Sequence, residues 1–351
     1  MKIVIAIDSF KGCLTSQEAN EAAASGVESC HPDAQVMQIP VSDGGEGFVE
    51  AFKPLGGEII TMRARDPLMR PITVQYLLND RTAVIEVAQA CGLALLTVEE
   101  RNPIVATTYG VGQMVADAVR RGARHIIVGV GGTATVDMGI GMLRALVDAF
   151  ADGGAWDDIK LLKPVRFTLA TDVSNPLTGA SGAAHMFGPQ KGATPDMVNR
   201  LEERALKFAE VSARHFGYDR SSVAGAGAAG GLGYAFMQYL NAECRSGIDL
   251  LLESIGFERL VQGADMVLTG EGAADAQTLL GKLPLGILRQ SNGVPVCLIA
   301  GRVSDREQLL QAGFTKVECI NPPELAHQEA MNPDVARHNI AHTVSALLKD
   351  W

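Results

Sequence analysis

The chain has 351 residues, 47% hydrophobic and 20% charged, which is enough apolar material for a packed core and too much for a disordered chain. A chain this long fits about two domains. Its 38 glycines beside 5% aromatic residues suit tight loops between α/β layers better than an all-β sandwich, and a net charge of −10 excludes broad nucleic-acid binding, which needs a basic surface.

In chain order, Ile3–Ile7 reads as a buried strand that meets Asp8 too early for a secretory signal peptide. Thr15 and Glu18 form a capping box opening a helix whose inner face carries Ala19, Ala23 and Val27. Three strand-like runs follow at Ile59–Met62, Ile72–Tyr76 and Val84–Val87, with Asn79-Asp80 as a turn. Val111, Met114, Val115, Ala118 and Val119 mark one buried helix face. The apolar runs His125–Val130, Met266–Leu268 and Val294–Ala300 end near glycine or carboxylate, as strands buried on both faces do. The uncharged stretch from Ser221 to Ala242 is too glycine-rich for a membrane span and reads as a loop followed by a helix.

Strand alternating with helix predicts an α/β protein with a Rossmann-like, doubly wound parallel sheet. Residues 59–94 and 150–255 break the rhythm and are expected to form an inserted mixed α/β domain. That leaves 1–58, 95–149 and 256–351 as the Rossmann-like domain, with the active site expected in the cleft between the two. The six cysteines form no CxxC pair and are expected to be reduced, in a cytoplasmic setting. His338 and His342 have ligand-like spacing but no third ligand, and read as part of a surface helix.

Five glycine-rich segments stand next to acids. Asp8-Ser9-Phe10-Lys11-Gly12 follows the first strand, where open α/β sheets bind ligands, although a polar turn with a solvated lysine reads equally well. Ser42-Asp43-Gly44-Gly45-Glu46-Gly47 offers backbone N–H groups and two carboxylates, or simply a turn before a helix near Phe48. Gly129–Gly141 follows a strand and opens a helix, an arrangement that points amides at a phosphate or packs strand against helix closely. Gly225–Gly231 matches G-x-G-x-x-G without the preceding strand that a dinucleotide site requires, and the Gly281-Lys282 segment lacks the earlier glycine and following Ser or Thr of a P-loop. Thr269–Lys282, Asp172 with Asn175, and Gln190 with Lys191 add carboxylates, an amide and cations. No G-x-S-x-G elbow supports a hydrolase.

In this order the segments resemble the bacterial glycerate kinase family. The matching stretches are Asp8–Gly12, Ser42–Gly47, Val84–Ala88, Arg101–Pro103 with Thr107–Gly110, Gly131–Thr135, Asp172–Pro176, Phe187–Gly192, Gly225–Gly231 and Thr269–Gly272, which span almost the whole chain. The resemblance implies ATP as phosphoryl donor, Mg²⁺, D-glycerate as acceptor and 2-phosphoglycerate as the usual product. Some members are described as 3-kinases, and a non-catalytic small-molecule-binding relative is the alternative of another class. Partners would then be glycerate alone, with neither nucleic acid nor membrane, and a homodimer is an option.

Phosphoryl transfer needs charge neutralisation, in-line positioning and a route for the hydroxyl proton. The residues expected to meet these needs catalytically are Asp43, Lys11, Asp172 and Asp275, with Asp43 as proton acceptor and Asp275 second. Asp43, Asp172 and Glu271 are the expected Mg²⁺ carboxylates. Substrate or phosphate contacts are expected from Asp8, Ser9, Gly44, Gly45, Glu46, Gly131, Gly132, Thr133, Thr135, Lys191, Gly227, Gly230, Glu271, Gln277 and Lys282. The chain departs from the family pattern at Ala273, where Arg is usual, at Val136, where Asn is usual, and in a shorter connector at residues 151–163.

Overall fold

The computed structural model describes residues 1–349 and 351. Its strands are β1 (Lys2–Ile7), β2 (Gln35–Gln38), β3 (Glu58–Arg65), β4 (Pro71–Asn79), β5 (Thr82–Glu86), β6 (His125–Gly129), β7 (Arg166–Ala170), β8 (Glu243–Arg245), β9 (Met266–Ala274), β10 (Val296–Val303) and β11 (Lys316–Cys319). The chain divides into two units, one of Met1–Asp43 with Ile248–Trp351 and one of Gly44–Gly247.

The first unit holds a sheet of order β11-β10-β9-β1-β2 in which every pairing is parallel. Its strand β1 is fully buried from Ile3 to Ile7, as the uninterrupted apolar run demands. On one face Ile3, Ile5, Ile7, Met266, Leu268, Cys297 and Ile299 pack with Ala19, Ala23 and Val27 of helix Ser16–Cys30 and with Ile340 and Val344 of helix Pro333–Lys349. The expected capping box is present: Glu18 N–H donates to Thr15 Oγ1 at 3.2 Å, and Thr15 N–H to Glu18 Oε2 at 2.9 Å. Buried Asn20 reaches from that helix to the sheet. It accepts from Ile7 N–H at 3.0 Å and donates to the Ile39 carbonyl at 3.0 Å, so it fixes where the chain leaves β1 and β2.

The second unit holds a sheet of order β3-β4-β5-β6-β7-β8. Its first three strands are antiparallel and the pairings from β5 to β8 are parallel. Asp80, in the predicted turn between β4 and β5, takes a left-handed φ of 49°. The core of this unit joins Tyr76, Ile85, Val128, Phe167 and Leu169 to Met114 and Val115 of helix Tyr109–Arg120, the helix read from its apolar face.

The α/β class, the doubly wound parallel sheet and the mixed inserted unit are all present. The division of the chain differs from that expected. The expected bounds place β5 and β6 in different domains, yet the two strands are parallel neighbours with Val84 opposite Ile127. Residues 95–149 therefore belong to the inserted unit, whose bounds are Gly44 and Gly247. A buried apolar run announces a parallel strand but not which of two sheets receives it.

Candidate active site

In open α/β sheets, ligands bind beyond the carboxyl ends of the strands. In the first unit, Asp8 follows β1. Its N–H donates to the Gly270 carbonyl at 2.9 Å and its Oδ1 accepts the Ser9 N–H at 2.7 Å. Burial, and then the charge of Asp43, push the Asp8 carboxyl up to about 7, against the opposing effects of the Ser9 N–H and Lys11. On β9, Glu271 is buried and accepts the Thr278 hydroxyl at 2.6 Å. Burial raises its pKa as well, opposed by Thr278 and Lys282.

Lys282 Nζ stands 3.8 Å from Glu271 Oε2 and 3.8 Å from Asp275 Oδ1, so one ammonium serves two carboxylates. Asp275 also caps the short turn Ala276–Leu280, accepting Gln277 N–H at 2.8 Å. The Gln277 side chain is exposed beside it, and Lys11 is exposed without an ion pair among the described residues. The structure thus brings Asp8, Ser9, Lys11, Asp43, Glu271, Asp275, Gln277 and Lys282 to one edge of the first sheet.

The loop Gly44–Gly47 belongs to the second unit and lies on the carboxyl ends of its strands. Gly131 N–H donates to the Gly44 carbonyl at 3.0 Å, and a Cβ at Gly131 would stand 2.5 Å from Gly45 Cα. Gly44 takes a φ of 105°, and a Cβ there would stand 2.6 Å from the Ala170 carbonyl oxygen. Three backbones meet where only glycine fits. Glu46 is exposed on this loop, and Asp172 is exposed two residues beyond β7.

Glu86, at the carboxyl end of β5, was not among the expected site residues. It is buried and takes backbone hydrogen bonds from Val49, Phe48 and Gly47, anchoring the loop where helix Phe48–Phe52 begins. Burial carries its carboxyl to about 7, with Glu46 adding repulsion. The signal available in the sequence was an acid inside the apolar run Val84-Ile85-Glu86-Val87.

Several expected ligand contacts are turned inward. Lys191 is 4% exposed, and its Nζ donates to Thr133 Oγ1 at 2.9 Å and to the Thr135 carbonyl at 2.8 Å. Burial lowers its ammonium to about 8. Expected as a clamp on substrate charge, it is a buried strut between loops. Thr135 Oγ1 is buried without a hydrogen-bond partner, beside the Cys91 thiol.

The sequence reads the helix start at Ile140 as facing either a phosphate or a closely packed strand. Its amides instead meet a carboxylate of the chain itself. Asp137 accepts from Gly139 and Gly141 N–H at 3.1 Å each and from Thr108 N–H at 2.8 Å. Gly132 has a φ of 71° and its carbonyl accepts Leu93 N–H at 2.8 Å, so it too serves the backbone. In the Gly225–Gly231 segment, Gly227 N–H bonds the Asn175 carbonyl at 2.9 Å. Gly230, at φ 68°, lies where a Cβ would come within 2.7 Å of Val136 Cα. These glycines let other backbone segments approach closely.

Among the described residues no group of three His, Cys, Asp or Glu side chains forms a ready metal centre. The Asp8–Asp43 pair, whose mutual repulsion raises Asp8, has the oxygen chemistry that a hard divalent cation neutralises.

A parallel sheet and a mixed one, with carboxylates, lysines and glycine loops at the carboxyl ends of their strands, define a two-unit α/β protein. The chain belongs to the glycerate kinase family, whose model matches residues 3–351. It is 41% identical to the glycerate kinase of Bacillus subtilis (strain 168) over 94% of this chain and 93% of that one. It is 38% identical to the glycerate 2-kinase of Escherichia coli (strain K12), with 98% of each covered. A crystal structure described as a glycerate kinase 2 from Salmonella typhimurium LT2 superimposes with a TM-score of 0.81 at 35% identity, covering 100% of this chain and 98% of that one.

Proposed function

We propose that this chain transfers the terminal phosphoryl group of ATP to the 2-hydroxyl of D-glycerate, giving 2-phosphoglycerate, in a Mg²⁺-dependent reaction. The observation that carries this reading is the carboxylate and lysine cluster at the edge of the first sheet, in a member of this family. Asp43, whose charge acts on the buried Asp8 beside it, is the proton acceptor for the attacking hydroxyl, and Asp275, which caps a turn and pairs with Lys282, is second. Lys11, without an internal ion pair, faces developing phosphoryl charge. Asp43 and Glu271 of the first unit would hold Mg²⁺. When bound, the ion would offset phosphate charge. Gly44, Gly45 and Glu46, on the loop that Glu86 anchors, are further substrate contacts in this reading. The six free thiols fit a reducing compartment, and the cytoplasm is proposed on that ground.

The test is a coupled ADP-release assay with ATP, Mg²⁺ and D-glycerate, followed by phosphorus NMR of the product. Glycerate-dependent ADP release and a 2-phosphoglycerate resonance are expected. A 3-phosphoglycerate resonance would reassign the hydroxyl, and no release above the glycerate-free blank would leave a binding protein.

A further inference from the structure

The edge of the first sheet carries four carboxylates, Asp8, Asp43, Glu271 and Asp275, against two ammonium groups, Lys11 and Lys282. Lys282 is already shared between Glu271 and Asp275. Beside the Mg²⁺ proposed above, a directional cationic donor on this face would orient an anionic substrate.

Arg302 lies near the carboxyl end of β10, exposed, and its guanidinium forms no hydrogen bond or ion pair among the described residues. In the parallel register it stands opposite Ala273, as Ala300 stands opposite Glu271. Successive residues of a strand alternate faces, so Glu271, Ala273, Ala300 and Arg302 all project from one face. The β1 register pairs Ala6 with Thr269 and Ile7 with Gly270, which brings Asp8 opposite Glu271 one step on, facing the same way. Neighbouring strands lie about 4.8 Å apart, well within the length of an arginine side chain. Ala273, half-buried on β9, presents only a methyl on that face. The segment after Arg302 is tied down on the same side: Ser304 N–H donates to the Ala274 carbonyl at 2.8 Å, and Ala276 N–H to Asp305 Oδ2 at 3.2 Å.

We propose that Arg302 is a substrate-binding residue of this site, its guanidinium reaching over Ala273 to grip an oxyanion of a bound substrate. The oxyanion is either the acceptor carboxylate or the terminal phosphoryl group of the donor. A planar guanidinium fork matches both bidentately, which a lysine ammonium does not. The proposal rests on the kinase reading above.

The experiment compares wild type, Arg302→Ala, and Arg302→Ala combined with Ala273→Arg, which returns the cation from the neighbouring strand. Steady-state kinetics are run with D-glycerate and with ATP varied in turn, and a thermal melt accompanies each variant. Arg302→Ala is expected to melt like wild type and to lose about 10- to 100-fold in kcat/KM, the range for a charged hydrogen-bonding partner. A raised KM for glycerate assigns the carboxylate, and a raised KM for ATP assigns the phosphoryl group. The double variant is expected to recover most of the loss. Arg302→Ala kinetics within twofold of wild type for both substrates would overturn the proposal, and so would a loss that Ala273→Arg fails to recover. If wild type phosphorylates no glycerate, the kinase reading fails. Calorimetric titration of ATP and of glycerate into wild type and Arg302→Ala then decides whether Arg302 still binds an anion, and equal affinities would overturn that too.

Discussion

Asp43 and Asp8 form one electrostatic unit with separable roles. Asp43→Asn keeps the size and polarity of the side chain but removes the proton acceptor. It is expected to lower kcat by about 10²- to 10⁴-fold with an unchanged circular-dichroism spectrum. Wild-type turnover in that variant would remove Asp43 from the mechanism. Asp8 makes a prediction about stability. Its folded pKa of about 7 lies above the ordinary value of 3.8, so the folded state holds the proton more tightly than the unfolded one. The stabilisation is fully present below about pH 4 and is lost as pH rises through about 7. The Tm of the unliganded protein should therefore carry a falling contribution from pH 5 to pH 8 that Asp8→Asn removes; an equal slope in both proteins would contradict the assignment. The strand-end acids and lysines of the first unit were legible because an apolar run that stops at a carboxylate marks a sheet edge. Lys191 misled because its type and glycine neighbours suggest an anion clamp, while its burial comes from loops far away along the chain.

The long strands could be read from the sequence because continuous Val, Ile and Leu runs have no other stable home. β2, β8 and β11 escaped notice: each has three or four residues, mixes polar with apolar side chains and is partly exposed. Glycine loops were legible as loops but not in purpose, since a glycine that approaches a ligand and one that approaches another backbone look alike in sequence. Gly230→Ala separates the two purposes. A methyl at φ 68° close to Val136 Cα should destabilise the second unit by about 1–3 kcal/mol. A melt unchanged from wild type would reopen a ligand role for that loop. Glu86 tests the anchoring of the Gly44–Gly47 loop. Glu86→Ala strips three helix-start amides of their acceptor, at a cost of about 1–3 kcal/mol. It should lower kcat more than Glu86→Gln, which retains one carbonyl oxygen for them. Equal kinetics in the two variants would show that the loop does not depend on this acceptor.

The inserted unit is one continuous piece of chain with a core of its own, whereas the first unit is assembled from the two ends. A fragment of residues 44–247 should therefore unfold cooperatively on heating. A broad, non-cooperative melt of that fragment would show that its core needs the flanking segments. The split has a consequence for synthesis. β1 leaves the ribosome with β2 able to cover one side, but its other partner, β9, follows only after an insertion of about 200 residues. At ~5–20 residues per second that interval is about 10–40 s. During it the most apolar strand of the chain presents an unpaired edge, the template on which nascent chains associate with one another. Translation that stalls within the insertion should thus release a sticky product, and the yield of active protein should depend on elongation speed across residues 44–247 more than on the stability of the finished fold.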